Sequence, residues 1–324
     1  MMKTRLLLPL LALCLLATAP LKADEIRLSL PPDPNALPVF VLMEKQDAFL
    51  PGDSLELVAN PAGDPSAMRA MIAAERMDFA MFNLVGGTRF IQGGLEGVHL
   101  VSPWVWRGIY LLTPKGNTDL AALNDEMVLV APGVSTPPHI ITKKALKQEG
   151  IEPRFATGGA GAVLFSRLRD PEKAPAAVAA PEPLVSLIEH RQQAQGWQQR
   201  WQVALDPTEA LGGDIPLGAL WQVGDDGDTA VQDRLVEGLT RAAEWAQAPE
   251  HREEAAHIAA EGYKRTFRMP IPPRALAGLL REERVDWRLD ADGHTRSRIE
   301  AYLSEVFGLS APAGLYGEAS RTDD

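Results

Sequence analysis

The chain has 324 residues, 46% of them hydrophobic, with 32 Lys+Arg against 43 Asp+Glu and a single cysteine; this is the composition of a globular protein with room for one large or two medium domains. Disorder, a collagen-like rod and a disulfide-rich scaffold are excluded. The acidic balance also argues against nucleic acid and anionic lipid as partners, since both demand surplus positive charge.

Lys3 and Arg5 precede an apolar run over residues 6–19, and Ala23 offers a small-residue cleavage point ahead of Asp24 and Glu25. Residues 1–23 therefore read as an export signal that sends the protein to the periplasm. Cleavage there takes Lys3, Arg5 and Lys22 from a chain whose net charge is already −11. It also removes Cys14, which leaves no thiolate for a disulfide, a nucleophile or a cysteine metal site. Leu13 ahead of Cys14, with Leu15 and Leu16 behind it, is a poor setting for lipid attachment. No later stretch reaches the ~20 apolar residues of a membrane span.

From Ile26 onward, short apolar runs alternate with helix-period segments, the pattern of an α/β fold with parallel strands and crossover helices. Strands are expected over 26–30, stopped by Pro31-Pro32, and over 55–58, stopped by Asn60-Pro61. Ala67, Met68, Met71, Ile72 and Ala74 form a helical stripe that Asp64 or Ser66 can cap. A buried strand over 79–82 ends at Asn83, and further strands cover 98–105 and 108–112. Thr113-Pro114-Lys115-Gly116 then reads as the first crossing between domains. Beyond it come a short helix at 120–123, a strand at 127–130, a Pro132-Gly133 turn, and a helix over 137–148 closed by Gly150. A Gly-rich turn runs into a helix over 158–168, followed by a strand at 176–180 and a helix at 184–195. A strand at 201–205 carries the chain back. The rest is chiefly amphipathic helix, over 229–248, 250–262, 273–283 and 296–307, with Asp225, Asp226 and Asp228 as a solvated loop ahead of the first. These limits divide the chain into a first lobe of residues 24–112 and 206–324 and a second lobe of residues 113–205.

The order of these pieces resembles the periplasmic solute-binding proteins of ABC importers, in the nitrate/sulfonate/taurine-binding and thiamine-precursor-binding (NMT1/THI5-like) group. The resemblance rests on the strand, loop and helix of 28–44, AGDPSAMRAMIAAERMDFAMFN (62–83), IYLLTPKG (109–116), VAPGVSTPP (130–138) and AVAAPEPLVSLIEH (177–190). It implies an α/β, two-lobed type II periplasmic-binding-protein fold, with two crossing strands and one ligand cleft. The segment after Leu205 matches less clearly, and its place in the first lobe follows from the analogy.

Open α/β sheets bind ligands off the carboxyl ends of their strands, where loops and helix N-termini converge. That rule selects Asp33 and Asn35 after the first strand, Asp64 and Ser66 after the second, and Asn83 after the third. Asn83 is either a polar amide for a solute or a strand-ending turn residue. Trp104 and Trp106 share one strand face, as an apolar wall for a ligand or as core. Arg107 is the cation placed to pair with an anionic ligand, or else part of a surface or interlobe salt bridge. In the second lobe Gly133, Ser135 and Thr136 precede a helix whose free N–H groups suit an anion or a carbonyl; the same hydroxyls can simply cap it. His139, in that first turn, donates to a ligand or is solvated. Thr157 and Gly159 precede another helix start, which faces the cleft in the resembling family, although the Gly-rich turn lacks the ending of a P-loop. Glu182, between Pro181 and Pro183, orients a ligand, bridges to Arg107 or Arg154, or stabilises the helix it precedes.

The six histidines show no metal-ligand spacing, and no Gly-x-Ser-x-Gly elbow accompanies Ser135. Pyrimidine synthesis with pyridoxal phosphate, known in the THI5-like group, sits badly with an export signal and with the missing cysteine-rich motif. The expectation is a non-enzymatic periplasmic substrate-binding component of an ABC importer, without metal or cofactor. It would close as a monomer on a small polar, by preference anionic, solute and deliver it to a permease in the inner membrane. The alternative is a periplasmic accessory protein of the same fold that binds a protein partner, a cofactor precursor or a metal complex.

Overall fold

The computed structural model describes residues 24–60, 65–159, 161–213, 215–224, 228–289 and 293–317. Residues 1–23, read as an export signal, Asp64 and Asp225-Asp226-Gly227 lie outside the described residues.

Eleven strands appear among the described residues: β1 (Glu25–Leu30), β2 (Ser54–Ala59), β3 (Phe79–Asn83), β4 (Val98–Arg107), β5 (Ile109–Pro114), β6 (Met127–Val130), β7 (Arg154–Thr157), β8 (Ala177–Pro181), β9 (Trp201–Leu205), β10 (Gly218–Val223) and β11 (Asp286–Trp287). They form two sheets, with strand orders β11-β4-β10-β3-β1-β2 and β7-β6-β8-β5-β9. In the first, β1 runs parallel to β2 and β3, while β10 lies antiparallel between β3 and β4. In the second, β6 is parallel to β7 and β8, and β5 is antiparallel to β8 and β9.

The helices are α1 (Ala36–Glu44), α2 (Gln46–Phe49), α3 (Pro65–Ala73), α4 (Leu84–Gln92), α5 (Pro137–Gln148), α6 (Gly161–Leu168), α7 (Leu184–Ala194), α8 (Pro207–Ala210), α9 (Thr229–Gln247), α10 (Arg252–Phe267), α11 (Pro273–Arg281) and α12 (Gly293–Ala301), the last running into a π-turn over Tyr302–Val306. The sequence reading does not include α2, α4, β7, α8, β10 or β11. β10 is a short, fully apolar run at its buried end, and only its pairing with two distant strands distinguishes it from a loop.

The second sheet shows why its strands read as continuous apolar runs. Val128, Val130, Ala177 and Ala179 pack on one face with Leu146 of α5, while Leu129, Val178 and Ala180 pack on the other with Leu164 of α6 and Val185 of α7. Successive side chains point to opposite faces, and helices cover both, so every position is apolar. In the first lobe a single core joins the strands of the N-terminal part to α9, α10 and α11, with Phe40 of α1 edge-on to Tyr263 of α10 at 5.3 Å. The C-terminal helices thus complete the first sheet's covering layer. β5 pairs within the second sheet from Ile109 on, so the chain crosses at Gly108, ahead of the Thr113–Gly116 punctuation.

Close packing fixes Gly87 by space alone. A Cβ at Gly87 of α4 would sit 2.1 Å from the Trp221 ring, inside the helix-on-sheet contact. Gly278 of α11 has nothing within 4 Å of the same position. Gly87→Ala should lower unfolding stability by about 1–3 kcal/mol through overpacking, whereas Gly278→Ala should raise it by about 0.5–1 kcal/mol through helix propensity. Urea titrations of the two variants check both signs.

Candidate ligand-binding cleft

The carboxyl ends of β1, β3, β6 and β8 open on one cavity of about 590 Å³, lined from both lobes. The volume suits a small organic ligand. Met68, Phe82, Phe90, Met269 and Ile271 form its wall in the first lobe, and Phe165, Leu184 and Leu187 form it in the second. Polar groups are few: Asp33, Asn60 and Asn83 from the first lobe, Glu182 and Arg191 from the second.

Asp33 is held by a loop whose carbonyls are satisfied by aromatic donors. Tyr263 Oη donates to the Asp33 carbonyl at 2.7 Å, Trp287 Nε1 to that of Pro34 at 2.8 Å, and Trp104 Nε1 to that of Asn35 at 3.4 Å. Asn35 closes the loop from within, its backbone N–H and Nδ2 both donating to Asp33 Oδ1 at 2.9 and 2.6 Å. Burial raises the Asp33 carboxyl to about 6, against the pull of those two bonds.

Glu182 is buried at the start of α7. Its carboxylate accepts from the Ser186 backbone and hydroxyl, both at 3.1 Å, and meets Arg284 Nη1 at 3.4 Å. Arg284, which is 7% exposed, also pairs with Glu189 at 2.7 Å and with Glu282. Burial pushes Glu182 up to about 7; Arg284 and Ser186 oppose the rise and Glu189 adds to it. Arg191 lies over the Phe165 ring, 4.2 Å from its centroid.

Of the residues selected from sequence, Asp33, Asn83 and Glu182 line this cavity. Asn83 is also the cap of α4, with Oδ1 accepting from Gly86 N–H at 2.7 Å. Asn35 stands behind Asp33, and Ser66 on α3 is exposed and not in the lining. Trp104 and Trp106 are core: the first anchors the Asn35 carbonyl, and Trp106 Nε1 donates to the Arg288 carbonyl at 3.1 Å. Arg107 is paired with Asp206 at 2.5 Å where the chain crosses between lobes, which is its salt-bridge reading. Glu182 bridges to Arg284 in place of Arg107 or Arg154. The loop of Gly133, Ser135 and Thr136 meets the cavity only through the adjacent Pro132. Neither of its hydroxyls caps α5: Thr136 Oγ1 donates to the Gly133 carbonyl at 2.5 Å, and Ser135 has φ +68° and an exposed side chain. Ser135 N–H donates to His139 Nδ1 at 3.1 Å and Val134 N–H to Thr157 Oγ1 at 3.4 Å. Gly159 follows in the next turn, outside the lining. Arg191 and the 269–271 segment were missed; a Met-Pro-Ile-Pro-Pro run between two helices is the one signal that could have marked the latter.

No family model matches the chain, and no curated protein does. Solved structures do. The ligand-binding component of an ABC-type import system from Staphylococcus aureus, determined with zinc bound, superposes with a TM-score of 0.66 at 14% identity, over 91% of this chain and 97% of that one. The periplasmic aliphatic sulphonate binding protein SsuA from Escherichia coli gives 0.62 at 15% identity, over 90% and 95%. The Candida albicans CA3427 product, from a family exhibiting the generic periplasmic binding protein structural fold, gives 0.58 at 13% identity, over 88% and 90%. This chain has the two-lobed, type II periplasmic-binding-protein fold. The likeness to ABC-import solute-binding proteins, sulphonate-binding ones among them, is the one its sequence motifs suggest. Among the described residues no group of three His, Cys, Asp or Glu side chains is placed to hold a metal ion.

The buried Glu182 has a pH signature. A carboxyl raised from its ordinary 4.5 to about 7 in the folded protein contributes stability that is fully present below pH 4.5 and lost as pH rises through 7. Glu182→Gln should match the parent at pH 5 and exceed it by about 1–3 kcal/mol at pH 8, since Arg284 keeps two other carboxylates. Denaturant titrations at the two pH values check the difference.

Proposed function

We propose that the protein is the periplasmic substrate-binding component of an ABC importer, closing on one small organic solute and releasing it to a permease. The observation that carries this reading is a cavity of one ligand's size whose wall is divided between two lobes at the carboxyl ends of their strands. A ligand there touches both lobes, so its differential contacts with the closed form shift the open–closed equilibrium. No bond need be made or broken. The lobes would divide near Gly108 and Asp206, close to the limits read from sequence, and the periplasmic address rests on residues 1–23. The importer components among the structural neighbours add weight to the reading. The anionic class expected for the solute finds a single cation in the lining, Arg191.

Protein recovered from a periplasmic extract should release a small molecule on denaturation, identifiable by mass spectrometry. Added back at 100 times its dissociation constant, that compound should raise native-state stability by about 2.7 kcal/mol. Leu184→Trp, which fills the cavity from the α7 side, should abolish the rise and leave the ligand-free melting temperature nearly unchanged. A rise that survives in Leu184→Trp places the ligand elsewhere, and an extract with a retained protein partner but no small molecule favours the accessory-protein reading.

A further inference from the structure

Several of the backbone donors that would hold an oxyanion in this cleft are already spent. At the start of α4, Gly86 N–H goes to Asn83 Oδ1 at 2.7 Å and Leu84 N–H to the Leu217 carbonyl at 3.2 Å. At the start of α7, Ser186 N–H goes to the Glu182 carboxylate. In the loop before α5, the N–H groups of Val134 and Ser135 go to Thr157 and His139. A helix N-terminus binds an anion through unpaired N–H groups, and each of these bonds takes one away. The cation in the lining, Arg191, is placed over the Phe165 ring.

One acceptor is in the opposite condition. Asp33 lines the cavity with Oδ1 pinned by two bonds from Asn35, while Oδ2 has no protein partner among the described residues. The loop that carries it is fixed by Tyr263, Trp287 and Trp104, so the carboxylate is held in place before any ligand arrives. The cavity it lines is walled by Phe82, Phe90, Met68, Met269 and, across the cleft, Phe165. A carboxylate in such walls gains from an N–H donor and is repelled by a second anion. Desolvation of the Asp33 carboxyl agrees with this, since no protein cation relieves it.

We infer, resting on the reading of the cleft as a solute site, that the ligand is a compound with a ring-sized apolar body carrying an N–H donor, an ammonium or amidinium group, that meets Asp33 Oδ2. Inorganic oxyanions and sulfonates are then not its substrates.

The test compares probes of one ring size and opposite charge by thermal shift and calorimetry at millimolar concentration and pH 7.5: benzylamine and benzamidine against benzoate and toluenesulfonate, with taurine and nitrate beside them. Benzylamine and benzamidine should raise the melting temperature and the anions should not. Asp33→Asn should weaken the two cations by about ten- to a hundredfold with the ligand-free melt retained, and Arg191→Met should leave them within about threefold. If Asp33→Asn fails to fold, the comparison of cation with anion in the unaltered protein decides alone. A shift by toluenesulfonate or nitrate that Arg191→Met abolishes overturns the inference and leaves solute binding standing. A cation shift that survives Asp33→Asn overturns the role of Asp33. No shift with any probe, together with no small molecule in the periplasmic extract, overturns both readings.

Discussion

The backbone hydrogen bond from Glu182 N–H to the Gly108 carbonyl, 2.8 Å long, joins the point where the chain leaves the first sheet to the wall of the cavity in the second. Gly108 has φ +145°, a conformation that side chains disfavour, and it is the single residue between β4 and β5. Its neighbour Arg107 binds Asp206, the residue just after β9, so the two crossings are clamped to each other. Tyr110 Oη adds a bond of 2.7 Å to the Arg284 carbonyl, from the second sheet back to the segment that leads into β11. Cleft, crossing and ionic cluster therefore share atoms.

That sharing explains the choice of residues at Glu182 and Arg284. A buried ion pair contributes little net stability, because desolvation offsets most of the Coulombic gain. Its use here is positional: Arg284 from the first lobe gathers Glu182 and Glu189 from the second, together with its own neighbour Glu282. The arrangement leaves more carboxylates than cations at the cleft's edge, and each depends on one guanidinium. The three aromatic donors on the Asp33 loop work in the same way, holding a polar loop against an apolar wall by satisfying its carbonyls.

Much of the candidate site was legible in part. Asp33, Asn83 and Glu182 were found because strand ends are marked by Pro, Asn and Asp, and strand ends are where such sheets bind ligands. The helix-start residues Ser135, Thr136, Thr157 and Gly159 obeyed the same rule, yet they stand outside the lining, and Ser135, Thr136 and Thr157 bond to His139, Gly133 and Val134. Trp104, Trp106 and Arg107 illustrate the limit of residue type as a guide. An indole or a guanidinium suits a ligand and suits a neighbouring carbonyl or carboxylate equally well, and here the neighbour, Asn35, Arg288 or Asp206, took it. Arg191 carried no local signal, since it sits within a polar helix stretch, and Met269 carried only the proline run of an interhelical turn.

By itself the sequence determined the alternation of strand and helix and the stops at proline and asparagine, because these follow from periodicity and from backbone chemistry within a few residues; the two-lobed class was implied by the resemblance its motifs carry. Only the tertiary structure decided that β10 enters the middle of the first sheet, that the crossing falls at Gly108, and that the cavity is walled by Phe82, Phe90 and Phe165 with one free carboxylate oxygen at Asp33. The reason is physical. Hydrogen-bond donors and acceptors in a chain are known from its residues, but which of them remain unspent depends on partners brought from more than 100 residues away, as Glu182 and Arg284 are.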